Sequence, residues 1–220
     1  AHELNQPLTA MQLNAELIDS AMGQGDTTAD ATVQLAMRDL MSDNQRAANI
    51  IKTLRNMFGN GRKSISTFDL NDLLNEVLLL SKAKIHEQRI LLSLTLSTAP
   101  IHITGDKSQL QQVLLNVITN AIDALIGADV HQKRISVRTH INVAQAILSV
   151  TDNGSGIAPE IASSLFELLR TNKEEGMGIG LWLSRTIVES HQGTIDFETS
   201  KTRGTTFTVT LPITTEALIY

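Results

Sequence analysis

The chain has 220 residues, 42% apolar and 19% charged, with 18 Lys plus Arg against 23 Asp plus Glu for a net charge of −5. Such a composition suits a globular domain with a proper core plus a smaller module, and it offers no basic field to hold nucleic acid. There is no cysteine, which excludes disulfides, thiolate metal sites and cysteine nucleophiles. No apolar run approaches the ~18 residues of a membrane span and no signal peptide is present; this segment is expected to be cytoplasmic and to make no membrane contact itself, with a membrane anchor elsewhere in the parent protein left open.

The first predicted elements are two long helices. Leu4, Leu8, Met11, Ala15, Ile18 and Met22 recur at steps of four and three, a heptad seam on one helix face. "GQGDTT" breaks the pattern, and a second seam follows through Val33, Met37, Leu40, Asn44, Ala47, Ile51, Leu54 and Phe58. The pair reads as an antiparallel helical hairpin over residues 1–58, too thin to hide both seams, and two copies forming a four-helix bundle solve that problem. Asn44 either fixes register or faces solvent. "GNGRKSIS" is the linker, residues 59–66.

Residues 67–213 have a mixed texture. "DLNDLLNEVLLLSKAKIHEQ" and "DKSQLQQVLLNVITNAIDALIG" read as helices, the second with Asp106 as N-cap and Gly127 as stop. "LLSLTLS", "RISVRTH", "AILSVTD" and "GTTFTVTLP" read as strands, and "GLWLSRTIVESHQG" as a further helix closed by glycine. Interleaved in this order they indicate an α/β sandwich, giving an α + α/β chain with a short tail at residues 214–220.

Asn116 and Asn120, four residues apart, share a helix face. Their amides are either exposed or capping groups, or ligands for a hard cation such as Mg²⁺. "SVTDNGSGI" sets Asp152 at a strand end before Gly154 and Gly156, where a carboxylate suits the exocyclic amine of adenine and the backbone can approach a ligand. "GMGIGLWLSR" puts Gly176, Gly178 and Gly180 just before a helix, where free N–H groups and the helix dipole favour phosphate. No GxxxxGK[ST] motif occurs, and no GxGxxG or kinase HRD/DFG set stands in the strand context it would need.

NVITNA, DNGSGI, GMGIGL and GTTF resemble the N box and successive glycine boxes of the Bergerat-type ATPase superfamily, which includes sensor histidine kinases, Hsp90-type chaperones, type II topoisomerases and MutL-type repair proteins. The resemblance implies an ATP-binding domain in which Asn120 ligates Mg²⁺, Asn116 assists, and Asp152 reads adenine. It further implies that Gly154 and Gly156 line the base pocket, that Gly176, Gly178 and Gly180 border the phosphates, that Thr205 touches adenine through water, and that residues 158–177 form a lid. ATPases of the superfamily carry a glutamate base where this chain has Asn116. An amide cannot take a proton from water, so the pocket is expected to hold ATP for another nucleophile.

"HELNQPL" resembles the H box of histidine kinases, in its FixL-like HELNQP form, and identifies His2 as that nucleophile. His2 lies about 200° around the helix from Leu4 and so faces away from the seam. Glu3 is placed to offset charge developing on the imidazole. Gln6, one turn on, either orients water for dephosphorylating a partner or is simply solvated. Pro7 is expected to bend the helix beyond the reactive turn. The resemblance implies a homodimeric ATP:protein-histidine phosphotransferase whose partner is a response-regulator receiver domain, the chain being cut just before its reactive histidine. "FELLRTNK" departs from the FxPFxTTK lid of FixL-like kinases at Leu168, Leu169 and Asn172, and Lys173 either nears the γ-phosphate or is solvated. "HQG" has Gln192 where glycine is common. The altered lid keeps one rival open, a nucleotide-binding dimerisation scaffold with weak catalysis. A chaperone- or topoisomerase-type ATPase is the other, and Asn116 opposes it.

Overall fold

The computed structural model describes residues 2–22, 33–41, 43–44, 64–126, 128–167, 179–200 and 203–214. The chain divides into two compact units, Ala1–Arg62 and Lys63–Tyr220.

In the first unit α1 (His2–Met22) runs as one helix through Pro7, and residues 33–41 form α2. The half-buried stripe of α1 includes Met11, Asn14 and Ile18, whereas Ala15 of the expected seam is exposed. In α2 the buried residue is Ala36, and its neighbour Met37, assigned to the seam, is 52% exposed. One helical step turns a side chain by about 100°, so at these two positions the covered face is one residue off the expected seam, while Met11, Ile18, Val33 and Leu40 keep their places on it. Asn44 is exposed. The expected loop between the helices and the second seam beyond residue 44 lie outside the described residues.

The second unit runs β1 (Ile65–Asp69), α3 (Leu70–Glu87), β2 (Leu91–Thr95), β3 (His102–Asp106), α4 (Lys107–Leu125), β4 (Arg134–Asn142), β5 (Gln145–Asp152), α5 (Pro159–Ala162), α6 (Gly180–Ser190), β6 (Thr194–Ser200) and β7 (Gly204–Pro212). Five strands form one sheet in the order β2-β4-β5-β7-β6, with β2 parallel to β4 and every other pair antiparallel. β1 and β3 make a separate antiparallel ribbon. Alternation along the strands sends Ile135 and Val137, Leu148 and Val150, and Phe207 and Val209 to a buried face. The opposite face carries hydroxyl pairs such as Thr151 with Thr206 at 2.9 Å.

α4 is the central helix, packed against α3, α6 and β5. It buries Leu110, Val113, Leu114, Val117, Ile118, Ala121, Ile122 and Leu125, whose spacing of three and four makes one apolar face. Each Val, Leu or Ile among them contributes roughly 1.5–3 kcal/mol through burial. Asp106 caps the helix, its Oδ1 accepting from Ser108 N and Gln109 N at 3.1 Å each. His191, after α6, accepts the Asp106 N–H at Nε2 (3.0 Å) while its Nδ1 lies 2.8 Å from Ile187 O. That ring ties the end of α6 to the start of α4. Helix α4 ends at Leu125 with Ile126 as C-cap, and Gly127, the expected stop, lies outside the described residues.

Three strands escaped the sequence reading. β1 takes Ile65 and Ser66 from the stretch read as linker, and both β1 and β3 find their partners far away in sequence. β6 is the third. Gln192 takes φ 61° and Val143 φ 55°, the left-handed region that favours glycine.

Candidate functional site

The site grows from the end of β5. Asp152 is the last residue of that strand, faces inward by alternation, and is only 2% exposed. A carboxylate so placed needs donors. Its Oδ1 accepts from Gly154 N at 2.8 Å and from Thr205 N on β7 at 3.4 Å. Burial nonetheless holds its pKa above the ordinary aspartate value, with the backbone N–H groups pulling the other way.

Glycines fit the surrounding backbone to this corner. A Cβ on Gly154 would stand 2.5 Å from the Ala124 carbonyl of α4, and one on Gly204 would stand 2.1 Å from the Asp152 carbonyl. Gly156 (φ +72°) and Gly204 (φ +77°) also adopt left-handed backbone. Thr205, 3% exposed, lies beside the carboxylate, its Oγ1 3.1 Å from Thr199 Oγ1.

Gly180 differs. It opens α6, and the nearest neighbour of a Cβ there would be the Asn116 amide, at 3.6 Å and beyond, in ordinary contact. Packing among the described residues does not demand glycine at that position.

α4 connects the two ends of the site. Asn116 Nδ2 donates to Gly180 O (3.1 Å) and Ser184 Oγ (3.2 Å), and its Oδ1 accepts from Gln112 Nε2 (3.0 Å). One turn on stands Asn120, half-buried, and one turn further Ala124, against Gly154. Residues 116, 120 and 124 share a face with a rise of about 6 Å between neighbours. Asn120 is therefore flanked by the start of α6 on one side and the Asp152 corner on the other.

Asp152, Gly154, Gly156 and Thr205 are thus gathered in one corner, with Asn116 and Gly180 in direct contact at its far end. His2, Glu3 and Gln6 all belong to α1, but their side chains lie outside the described residues, as do Lys173, Gly176 and Gly178. Of the expected lid, α5 (Pro159–Ala162) and the turn to residue 167 are described, and residues 168–178 are not. Sequence reasoning missed Ser184, Thr199, Gly204 and Ala124. Ser184 sits four residues after Gly180, a spacing that could have revealed it, and Gly204 opens the quoted GTTF stretch. Nothing in the local pattern announces Thr199 or Ala124.

Residues 105–215, half of the chain, match the family described as histidine kinase-, DNA gyrase B-, and HSP90-like ATPase. The chain belongs to that ATP-binding family. Its relatives within that family include sensor kinases. The chain is 32% identical over 218 residues to the sensor protein FixL of Bradyrhizobium diazoefficiens, covering 98% of this chain and 43% of FixL. It is 32% identical over 214 residues to the sensor histidine kinase ZraS of Escherichia coli, covering 97% of this chain and 44% of ZraS. The chain therefore spans less than half the length of these curated relatives. The catalytic domain of histidine kinase ThkA superposes with a TM-score of 0.60 at 28% identity, over 68% of this chain and 95% of that one. ThkA in complex with the response regulator TrrA gives 0.70 at 22% identity over 97% of this chain and 60% of that one, a likeness of fold. Among the described residues no helix is long and apolar enough to cross a membrane.

Proposed function

We propose that this chain is the core of a two-component sensor histidine kinase that phosphorylates His2 from ATP and passes the phosphoryl group to an aspartate of a response-regulator receiver domain. The observation that carries the reading is Asp152: a nearly buried carboxylate, walled by glycines that the protein itself requires, in a chain of this ATPase family. A buried acceptor of that kind suits the exocyclic amine of adenine. Gly154 and Gly156 then line the base, and Thr205 meets it through water. Gly176, Gly178 and Gly180 offer backbone N–H groups to the phosphates at the start of α6. The Asn120 amide oxygen, flanked by both ends of the site, suits Mg²⁺, which would neutralise phosphate charge. Lys173 is assigned to the γ-phosphate side.

Asn116 supports transfer over hydrolysis. Its amide is already bonded to Gly180, Ser184 and Gln112 and has no basic atom with which to deprotonate water. The attacking group is instead a neutral ring nitrogen of His2. A P–N bond forms as the bond from Pγ to the β,γ-bridging oxygen breaks, ADP leaves with that electron pair, and Glu3 offsets the imidazole's positive charge. The receiver's aspartate then attacks phosphorus, the P–N bond breaks, and His2 is restored. Gln6 is placed to orient water for dephosphorylating the regulator. Pairing of two chains through α1 and α2 as a four-helix bundle would cover the exposed Leu13, Leu17, Leu35 and Met41. ThkA in complex with the regulator TrrA illustrates the kind of partner.

The test is incubation with γ-labelled ATP and Mg²⁺. Acid-labile, base-stable label that disappears in His2→Gln supports the assignment. Label that survives the substitution rejects it, and tight ATP binding with no label favours the scaffold reading.

A further inference from the structure

The inner face of β6 holds the segment that follows Asp152. Ile195, Phe197 and Thr199 alternate inward and stand opposite Val209, Phe207 and Thr205 of β7. Phe166 meets Phe197 edge-on at 5.8 Å between ring centroids. Two residues along, Thr199 Oγ1 accepts from Ile157 N at 2.8 Å. The turn through Gly156 is packed so closely on this strand that a Cβ there would come within 2.7 Å of Ser200 O and 3.1 Å of Thr199 Oγ1. A single hydroxyl therefore anchors the glycine turn on one side of the Asp152 corner and Thr205 on the other.

Thr199 has one proton to give. Its Oγ1 lies 3.1 Å from Thr205 Oγ1 and 3.5 Å from Gly204 O, the latter at the limit of a useful hydrogen bond. Donation to Thr205 Oγ1 is the better use of that proton. It makes Thr205 the acceptor in the pair and leaves the Thr205 O–H to donate elsewhere.

We infer that Thr199 is a positioning residue for base selection: it fixes the glycine turn through Ile157 N and orients the Thr205 hydroxyl to donate toward the purine. This rests on the nucleotide reading of the Asp152 corner. The chemistry is selective for adenine. Asp152 accepts from an exocyclic amine while Thr205 donates, through water, to an unprotonated ring nitrogen. Guanine presents a carbonyl oxygen to the carboxylate, which is repulsive, and replaces the ring acceptor by an N–H, so the water held by Thr205 loses the acceptor it was oriented to meet.

The test compares wild type, Thr199→Val and Thr199→Ser by calorimetric titration with Mg·ATP and Mg·GTP, well below each protein's melting temperature. Valine keeps the shape and removes the hydroxyl. It is expected to weaken ATP about tenfold and to narrow the ATP-to-GTP preference by a similar factor, while serine stays within about threefold of wild type. A role in stability alone would lower the melting temperature and leave the ATP-to-GTP ratio unchanged, and that result overturns the inference. Amide exchange in wild type gives an independent reading: Ile157 N–H must be protected, and exchange at the rate of an open loop also overturns it. Wild type that binds no adenine nucleotide overturns the nucleotide reading and this one together; ATP binding that valine leaves intact overturns this one alone.

Discussion

Replacing Asp152 by Asn separates what the carboxylate does for the ligand from what it does for the fold. Asparagine keeps the shape and leaves an Oδ1 that accepts from Gly154 N and Thr205 N. The lost charge and acceptor weaken adenine recognition, because a hydrogen bond to a charged group contributes about 1.5–3 kcal/mol, or roughly 10- to 150-fold in ATP affinity. Stability moves the other way. Burial raises the folded-state pKa of Asp152 above 3.8, so between that value and the raised one the unfolded chain ionises first and binds fewer protons than the native chain. Wild-type stability contributed by this group is fully present below the window and falls as pH rises through it. The variant has no such loss, so its stability relative to wild type should increase across the window and level off above it. Urea unfolding from pH 3.5 to 8, alongside titration with Mg·ATP, reads both effects. A variant that binds ATP like wild type, or whose relative stability falls with rising pH, refutes the reasoning.

Other substitutions test the surroundings. Gly204→Ala forces a Cβ to 2.1 Å from Asp152 O at a φ of +77°; a loss of at least ~2 kcal/mol or failure to fold is expected by denaturant unfolding. Gly180→Ala should instead fold at least as well as wild type, since its Cβ clears Asn116 and alanine favours helix, yet with the phosphates bound over Gly180 as proposed its ATP affinity should fall. Asn116→Ala removes three hydrogen bonds, two that brace the start of α6 and one to Gln112 within α4. It should cost ~1–3 kcal/mol in unfolding experiments. Val143→Gly and Gln192→Gly relieve left-handed backbone, each gaining about 0.5–1 kcal/mol after the added freedom of the unfolded chain is subtracted, with ATP affinity unchanged for Val143→Gly.

Residues that announce themselves locally were legible. The three-and-four spacing and Asp106 cap of α4 and the alternation of β4, β5 and β7 act within a few residues of themselves, whereas the glycines after Asp152 show in the sequence but meet Ala124 and Ser200 far along the chain. β1 and β3 are stabilised by each other across 37 residues, from Thr67 to Thr104, and no window of sequence contains both. β6 carried its alternation, Ile195, Phe197 and Thr199 inward with Asp196 and Glu198 outward, but the charged half masked it. Asn116 stood out in the sequence for its spacing from Asn120, but its bonding did not. A sequence places it on the face of Asn120; only the fold brings Gly180 and Ser184 to its amide.

The central claim is that the Asp152 corner is an adenine pocket whose phosphate end lies at the start of α6. A crystal structure with a non-hydrolysable ATP analogue and Mg²⁺ tests it most directly. The account predicts the adenine amine within hydrogen-bond distance of Asp152, the metal on the Asn120 amide oxygen and the phosphates over Gly180. A nucleotide seated elsewhere, or none at millimolar analogue, contradicts it.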